Sequence, residues 1–269
     1  MTITIETIEP GVQRLRCRTW RGAAVGYDSS AYLLHGVLVD TAFARVGADL
    51  LRAVSALSPR GSVVTHSHED HSGNVAPLAA RGLPIAIAAG CEAILRTRPS
   101  IGPYRSLIWG RPARLDAPIL PFDPAPLVLF TTPGHTPDHQ VLWDAERRIL
   151  ASGDLYLGVK VRVAHRHESP KLLLESLRRM AALDPRLLLD AHRGPLQDAT
   201  AHLRAKISWM EETIGAIIAL ASAGVGEHEI RRRLLGVEDG VGLVSFGEYS
   251  KRSFVRTVLD DFGATSRQP

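Results

Sequence analysis

The sequence has little that would cross-link it or carry it through a membrane. Cysteine occurs twice in 269 residues, at Cys17 and Cys91. Two thiols so far apart make no disulfide framework, which fits a reducing compartment, and each reads as a small buried hydrophobe. The longest apolar stretch, near Ile214 to Val225, is too short to span a bilayer and is flanked by charge. Met1 to Glu6 lack a basic segment and a long apolar core. No secretory signal is read there, so a cytoplasmic location with no membrane partner is expected. Excess charge of one sign is also missing. The net charge is only +4, and the basic runs Arg231-Arg232-Arg233 and Lys251-Arg252 read as solvated helix faces. No nucleic-acid partner is expected. No internal sequence repeat is visible.

What is present is a chain with 45% hydrophobic residues, enough for a sizeable core. Strand-like runs cover Val12 to Cys17, Ser30 to Leu34 and Val37 to Asp40, followed by a helix from Asp49 to Leu57. A buried strand ends at Gly61-Ser62-Val63-Val64-Thr65, and Ser72 to Arg81 reads as a helix closed by Gly82. Ile85 to Ala88 is another strand and Cys91 to Leu95 a short helix. Gln140 to Trp143 and Arg147 to Ala151 make a hairpin. Ser169 and Pro170 open a helix with Leu173, Leu177 and Met180 on one face. Leu187 to Asp190 is the last core strand. This alternation indicates an α/β layered fold.

Beyond Pro195 the pattern is helical. A long helix carries the stripe Leu203, Ile207, Met210, Ile214 and Ile217. Shorter helices at Glu227 to Leu235 and Glu248 to Phe262 are joined by Gly236 to Gly247. Residues 97–126 differ from both parts: seven prolines fall there, with Tyr104, Trp109 and Phe122 among them. Such a segment is either a lid over a site or a wrap packed on the core, with a short helix near Tyr104 to Trp109.

The chemistry is concentrated at strand ends. His66, His68, Asp70 and His71 stand within six positions, on the loop leaving a buried strand. Thr132-Pro133-Gly134-His135 follows the strand-like Leu127 to Phe130, Asp154 follows Arg148 to Ala151, and His192 follows Leu187 to Asp190. Imidazole nitrogens and carboxylate oxygens in one cluster suit zinc, iron or manganese.

The series His66-x-His68-x-Asp70-His71, then His135, Asp154 and His192, resembles the metallo-β-lactamase superfamily. Ser30 to Thr41, ending in Val-Asp-Thr, is similar to that family's early hairpin. The resemblance implies a four-layer αβ/βα sandwich as a catalytic domain over residues 1–200, with a helical extension over 201–269. It implies that His66, His68 and His135 hold one divalent metal and Asp70, His71 and His192 a second, with Asp154 bridging both. Zinc is the expected metal, with iron or manganese as alternatives. The implied reaction is hydrolysis of an acyl bond (a thioester, lactone or similar ester) in a small organic substrate by a metal-bridging hydroxide. Asp154 would hold the metals and Asp70 orient the hydroxide, as in glyoxalase II-like enzymes. A mononuclear iron enzyme resembling persulfide dioxygenases, using His66, His135 and Asp154, stays open. So does a nucleic-acid-processing or non-catalytic member.

Other residues near the motifs have weaker claims. His139 reads as a supporting or structural histidine. His165 and His167 have ligand-like spacing on a loop. Tyr156 is read either as an oxyanion donor or as a packed aromatic. Lys160 and Arg162 are candidates for a substrate carboxylate, and Arg193 adds bulk and charge beside His192. The C-terminal helices could serve as lid, substrate wall or homodimer contact.

Overall fold

The strand-forming runs of the first 200 residues assemble into two mixed sheets in the computed structural model, which describes residues 2–24, 26–97, 101–238, 240, 242 and 245–263. Contacts divide the chain into two units. One takes the chain through Thr131, then Asp138–Asp154 and Pro185–Asp198; the other takes Thr132–Pro137, Leu155–Asp184 and the chain from Ala199 onward.

In the first unit, β1 (Thr2–Glu9), β2 (Val12–Arg18), β3 (Ser29–Leu34), β4 (Val37–Val39), β5 (Gly61–Val63) and β6 (Ile85–Ala86) lie side by side in that order. Pairing is antiparallel as far as β4 and parallel from β4 to β6. The second sheet contains β7 (Val128–Thr131), β8 (Gln140–Asp144), β9 (Ile149–Gly153), β11 (Leu187–Asp190) and β12 (Gly194–Gln197), in the order β12-β11-β9-β8-β7. Strand β4 is apolar on successive residues because both faces of the first sheet are covered there. Val37 and Val39 of β4 join Leu142, Ile149 and Leu189 between the sheets. Leu38, on the opposite face, meets Leu50 of α2 (Gly47–Leu57), Leu78 of α4 (Val75–Ala79) and Leu95 of α5 (Ala89–Thr97). Each such side chain contributes about 1.5–3 kcal/mol on burial. This is the α/β sandwich that the strand and helix pattern leads one to expect.

The pairing directions bring one set of strand ends to one edge. Strands β9 and β11 are parallel, with Gly153 opposite Asp190, so Asp154 and His192 leave side by side. Strand β8 runs the other way and starts at that edge, where Gln140 pairs with Thr131. In the first sheet β4 and β5 are parallel, and the chain leaves them through Asp40 and Thr65. The two edges are tied together: Gln140 donates from its backbone to Thr65 O (2.8 Å) and from its side chain to Val64 O (2.7 Å).

One local expectation is revised, and one open reading is narrowed. The helix expected over 72–81 is split into α3 (Glu69–Ser72) and α4. Asn74 turns its amide to Thr41 O (2.7 Å) and Phe43 O (3.1 Å). A Cβ on Gly73 would lie 2.4–2.7 Å from the backbone of Glu69, Ala42 and Ala44, so only glycine fits the break. Residues 97–126, of which 98–100 lie outside the described residues, behave mainly as a wrap. Leu115 is buried in the helix-facing core, Phe122 packs between the sheets, and Arg60 binds the carbonyls of Pro124 and Ala125. Their short helix is α6 (Pro103–Trp109).

The second unit contains α7 (Pro170–Ala182), α8 (Ala199–Ser222), α9 (Glu227–Leu234), α10 (Lys251–Asp261), and a two-stranded pairing of β10 (Ala164–His165) with β13 (Tyr249–Ser250). The side chains of Ser169 and Ser250 cap α7 and α10, as serine does when its oxygen takes an orphan N–H. The buried stripe of α8 passes through Leu203, Lys206, Met210, Ile214 and Ile217, with Ile207 only half-buried. Lys206 can replace an apolar residue there because its stem is buried while its ammonium donates to the carbonyl of Tyr156. Part of the expected linker Gly236 to Gly247 (239, 241, 243 and 244) lies outside the described residues. Among the described residues no helix is long and apolar enough to cross a membrane.

Candidate metal centre

Asp70, His71 and His192 each offer a donor atom, all within 4.8 Å of one another. The rings are fixed from behind. His71 Nδ1 lies 2.8 Å from Asp40 Oδ2, which leaves Nε2 facing Asp154 Oδ1 (3.2 Å) and Asp70 Oδ2 (3.4 Å). His192 Nδ1 lies 3.0 Å from Asp28 O, and its Nε2 faces Asp70 Oδ2 at 3.4 Å and Asp154 Oδ1 at 3.2 Å. Such partners on the far nitrogen set the tautomer and aim of a metal-binding imidazole. Asp190 holds the His192 turn by accepting the backbone N–H of His192 and Arg193 at Oδ1.

His66, His68 and Asp154 likewise have donor atoms within 4.8 Å of one another. His66 is fully buried, its Nε2 is 3.8 Å from Asp154 Oδ2, and its ring stands 4.6 Å from that of His68. Asp154 therefore turns one oxygen toward His66 and the other toward His71 and His192. Its own position is held by His139, whose Nε2 accepts the Asp154 N–H at 3.1 Å. His139 thus braces the backbone of Asp154.

His135 is carried by Thr132–Pro137, within the second unit. There it is buried, with Nδ1 3.6 Å from Glu168 Oε1. The turn is clamped by Ser169 N–H on Gly134 O (2.8 Å) and Ser176 Oγ on Pro133 O (2.8 Å). Gly134 has φ +144°, and a Cβ there would lie 2.3 Å from Leu173 N, so the Pro-Gly-His turn needs its glycine. In the same unit the hydroxyl of Tyr156 is 3.2 Å from His202 Nδ1. Lys160 and Arg162 are exposed, as is the Arg193 side chain in the first unit. His165 lies 3.6 Å from Glu248, with its ring against Tyr249.

The charges in the cluster are strongly coupled. Burial and the neighbouring imidazoles of His71 and His68 hold His66 well below the usual histidine range. Burial opposes a charged ring at His71, yet Asp154, Asp70 and Asp40 outweigh it and keep that histidine well above its usual range. The same contest at His192 is won by Asp154 and Asp70. Burial alone would raise Asp70, but His71 and His192 hold it well below the ordinary carboxylate range. Carboxylates that collect protons on imidazoles are equally able to compensate a divalent cation, which displaces those protons on binding. The donor set, nitrogen and oxygen with rings oriented from behind, fits such an ion.

Three features around the centre were not recognised from the sequence as parts of it. Asp40 binds Thr65 N (2.7 Å), Thr65 Oγ1 (2.9 Å) and His71 at once. A signal for it existed, since Asp40 closes a strand-like run as the histidine loop does. Tyr27 donates its hydroxyl to Asp70 Oδ2. Glu69 and Arg105 form a buried ion pair at 2.5 Å, and the guanidinium lies over the Trp109 ring.

Residues 25–192 match the profile of the metallo-beta-lactamase superfamily, so the chain belongs to that superfamily. It is 30% identical over 149 residues to the lactamase-like protein nscB of Trichophyton rubrum, covering 55% of this chain and 41% of that one. The chain thus spans under half the length of that curated relative. A metallo-beta-lactamase family protein from Thermus thermophilus superposes with a TM-score of 0.70 at 19% identity, over 98% of this chain and 97% of that one. The metallo-beta-lactamase FIM-1 from Pseudomonas aeruginosa, solved in a mono-zinc form, superposes with a TM-score of 0.58 at 20% identity, over 79% and 96%. At these identities the likeness concerns the fold alone.

Proposed function

We propose that this chain is a hydrolase of an acyl bond (thioester, lactone or similar ester) in a small organic substrate, dependent on two divalent metal ions, with zinc the first choice. Superfamily membership and the two His/Asp clusters support a metal-dependent hydrolase in general terms. The observation that carries the binuclear reading is the division of Asp154, with Oδ2 toward His66 and Oδ1 toward His71 and His192. His66, His68 and His135 would hold one ion, Asp70, His71 and His192 the other, and Asp154 both. A divalent ion held by neutral imidazoles supplies Lewis acidity and makes water acidic enough to ionise near pH ~7.

The chain's own groups have separate tasks. Asp70, held as a carboxylate by His71 and His192, would orient the attacking water by accepting its hydrogen bond. Asp40 and Asp28 keep the two second-cluster rings from rotating. Substrate contacts are assigned to Tyr156, Lys160, Arg162 and Arg193. The oxygen of water joins the acyl carbon, and the thiol or alcohol departs with a proton.

The test is a panel of thioesters and lactones assayed in isotopically labelled water. The label should enter the acid product, dioxygen should not be consumed, chelator should abolish turnover, and zinc, cobalt or manganese should restore it. Dioxygen uptake by iron-loaded protein with a persulfide would replace this reading with the dioxygenase one.

A further inference from the structure

Tyr27 belongs to none of the ligand motifs. It lies on the short loop between α1 (Trp20–Ala24) and β3, 43 positions before Asp70. Strand β3 starts at the edge where β4 ends, so its leading loop arrives beside Asp40 and the metal loop. The hydroxyl donates to Asp70 Oδ2 and stands 3.4 Å from His192 Nε2. That carboxylate oxygen is the one facing His71 Nε2 and His192 Nε2, both at 3.4 Å. The phenol ring is itself held, 5.0 Å from the His192 ring on one side and 5.3 Å from Trp109 on the other.

Trp109 continues the arrangement. It is buried, and the Arg105 guanidinium lies 5.6 Å from its ring centroid. Arg105 in turn binds Glu69, the residue before Asp70. The contacts therefore close a ring: Asp70, Tyr27, Trp109, Arg105, Glu69 and back to Asp70 along the chain. One arm reaches the carboxylate directly and the other fixes the backbone that bears it.

We propose that Tyr27 is a positioning residue for the second metal, acting on the Asp70 carboxylate rather than on substrate. A ligand carboxylate is usually aimed by hydrogen bonds from outside the coordination sphere, and losing one such partner typically weakens metal binding by ~10–100-fold. The Tyr27 hydroxyl meets Asp70 and His192, both donors of the second cluster. Its removal therefore weakens one metal position and spares the other. The inference rests on the reading of both clusters as metal positions.

The test uses the full chain loaded with zinc and titrated with a chromophoric chelator, comparing wild type with Tyr27→Phe. Phenylalanine keeps the ring between Trp109 and His192, so the variant should fold, and a thermal melt checks this. Wild type should release its zinc in two steps. Tyr27→Phe should release one ion at about 10–100-fold lower chelator with the other step unmoved. A general loosening of the fold would shift both steps. If both steps coincide with wild type, or both move together, the inference is overturned while the binuclear reading stands. A wild type that holds fewer than two zinc ions overturns that reading, and this inference with it.

Discussion

His68→Ala should strip most of the bound metal and with it most of the turnover. The change removes a donor outright, so its cost should exceed the ~10–100-fold typical of an outer partner. His68 is half-buried and its ring meets His66 at 4.6 Å. Little packing is lost, and the melting temperature of metal-free protein should change little. His139→Ala is the control. It removes a hydrogen bond to the Asp154 backbone rather than a donor, so metal content should fall less. Metal analysis of both purified variants beside the wild type checks the ranking. Full metal and full turnover in His68→Ala would show that the donors are misassigned.

Arg105→Ala should be the most destabilising change away from the donors. Glu69 and Arg105 are each only 7% exposed and bonded to each other. Removing one member of a buried pair strands the other charge and costs about 3–5 kcal/mol. Thermal or denaturant unfolding of the variant reads this directly. The loss should also depend on pH. Burial raises the Glu69 carboxyl and the Arg105 charge opposes that rise. Without the guanidinium the folded state holds the Glu69 proton more tightly than the unfolded chain does. A carboxyl raised in the folded state stabilises while it is protonated and loses that contribution as pH rises. The gap between wild type and Arg105→Ala should therefore be smaller in acid than at neutral pH. An equal gap at both would place the energetic role of Arg105 elsewhere, for example in its stacking on Trp109.

The candidate donors were legible in the sequence for a physical reason. Each stands where a short apolar run stops and turn residues begin, and a strand end is where an α/β sheet exposes side chains to a ligand. The sheets were legible too, because the valines and leucines of β4 and β8 have no polar face to conceal. What supports the donors was harder to read. Tyr27, Asp40 and Arg105 lie 31 to 43 positions from their partners, and nothing periodic links them. They meet only through strand pairing and helix placement. Strand β1 is harder to read, because the alternation of Ile3 and Ile5 breaks at Ile8 and Ile5 remains exposed. The break at Gly73-Asn74 depends on backbone crowding from residues 42 and 44, which no local propensity reports. Lys206 occupies a core position for a similar reason: the carbonyl that receives it lies 50 residues away.

The most direct test of the central claim is the metal content of the chain purified without added metal, measured by elemental analysis against protein concentration. Two zinc ions, or two ions of a similar divalent metal, per chain is the expected result, with both lost and turnover abolished after chelation. One iron per chain, or no metal with turnover intact, would contradict it.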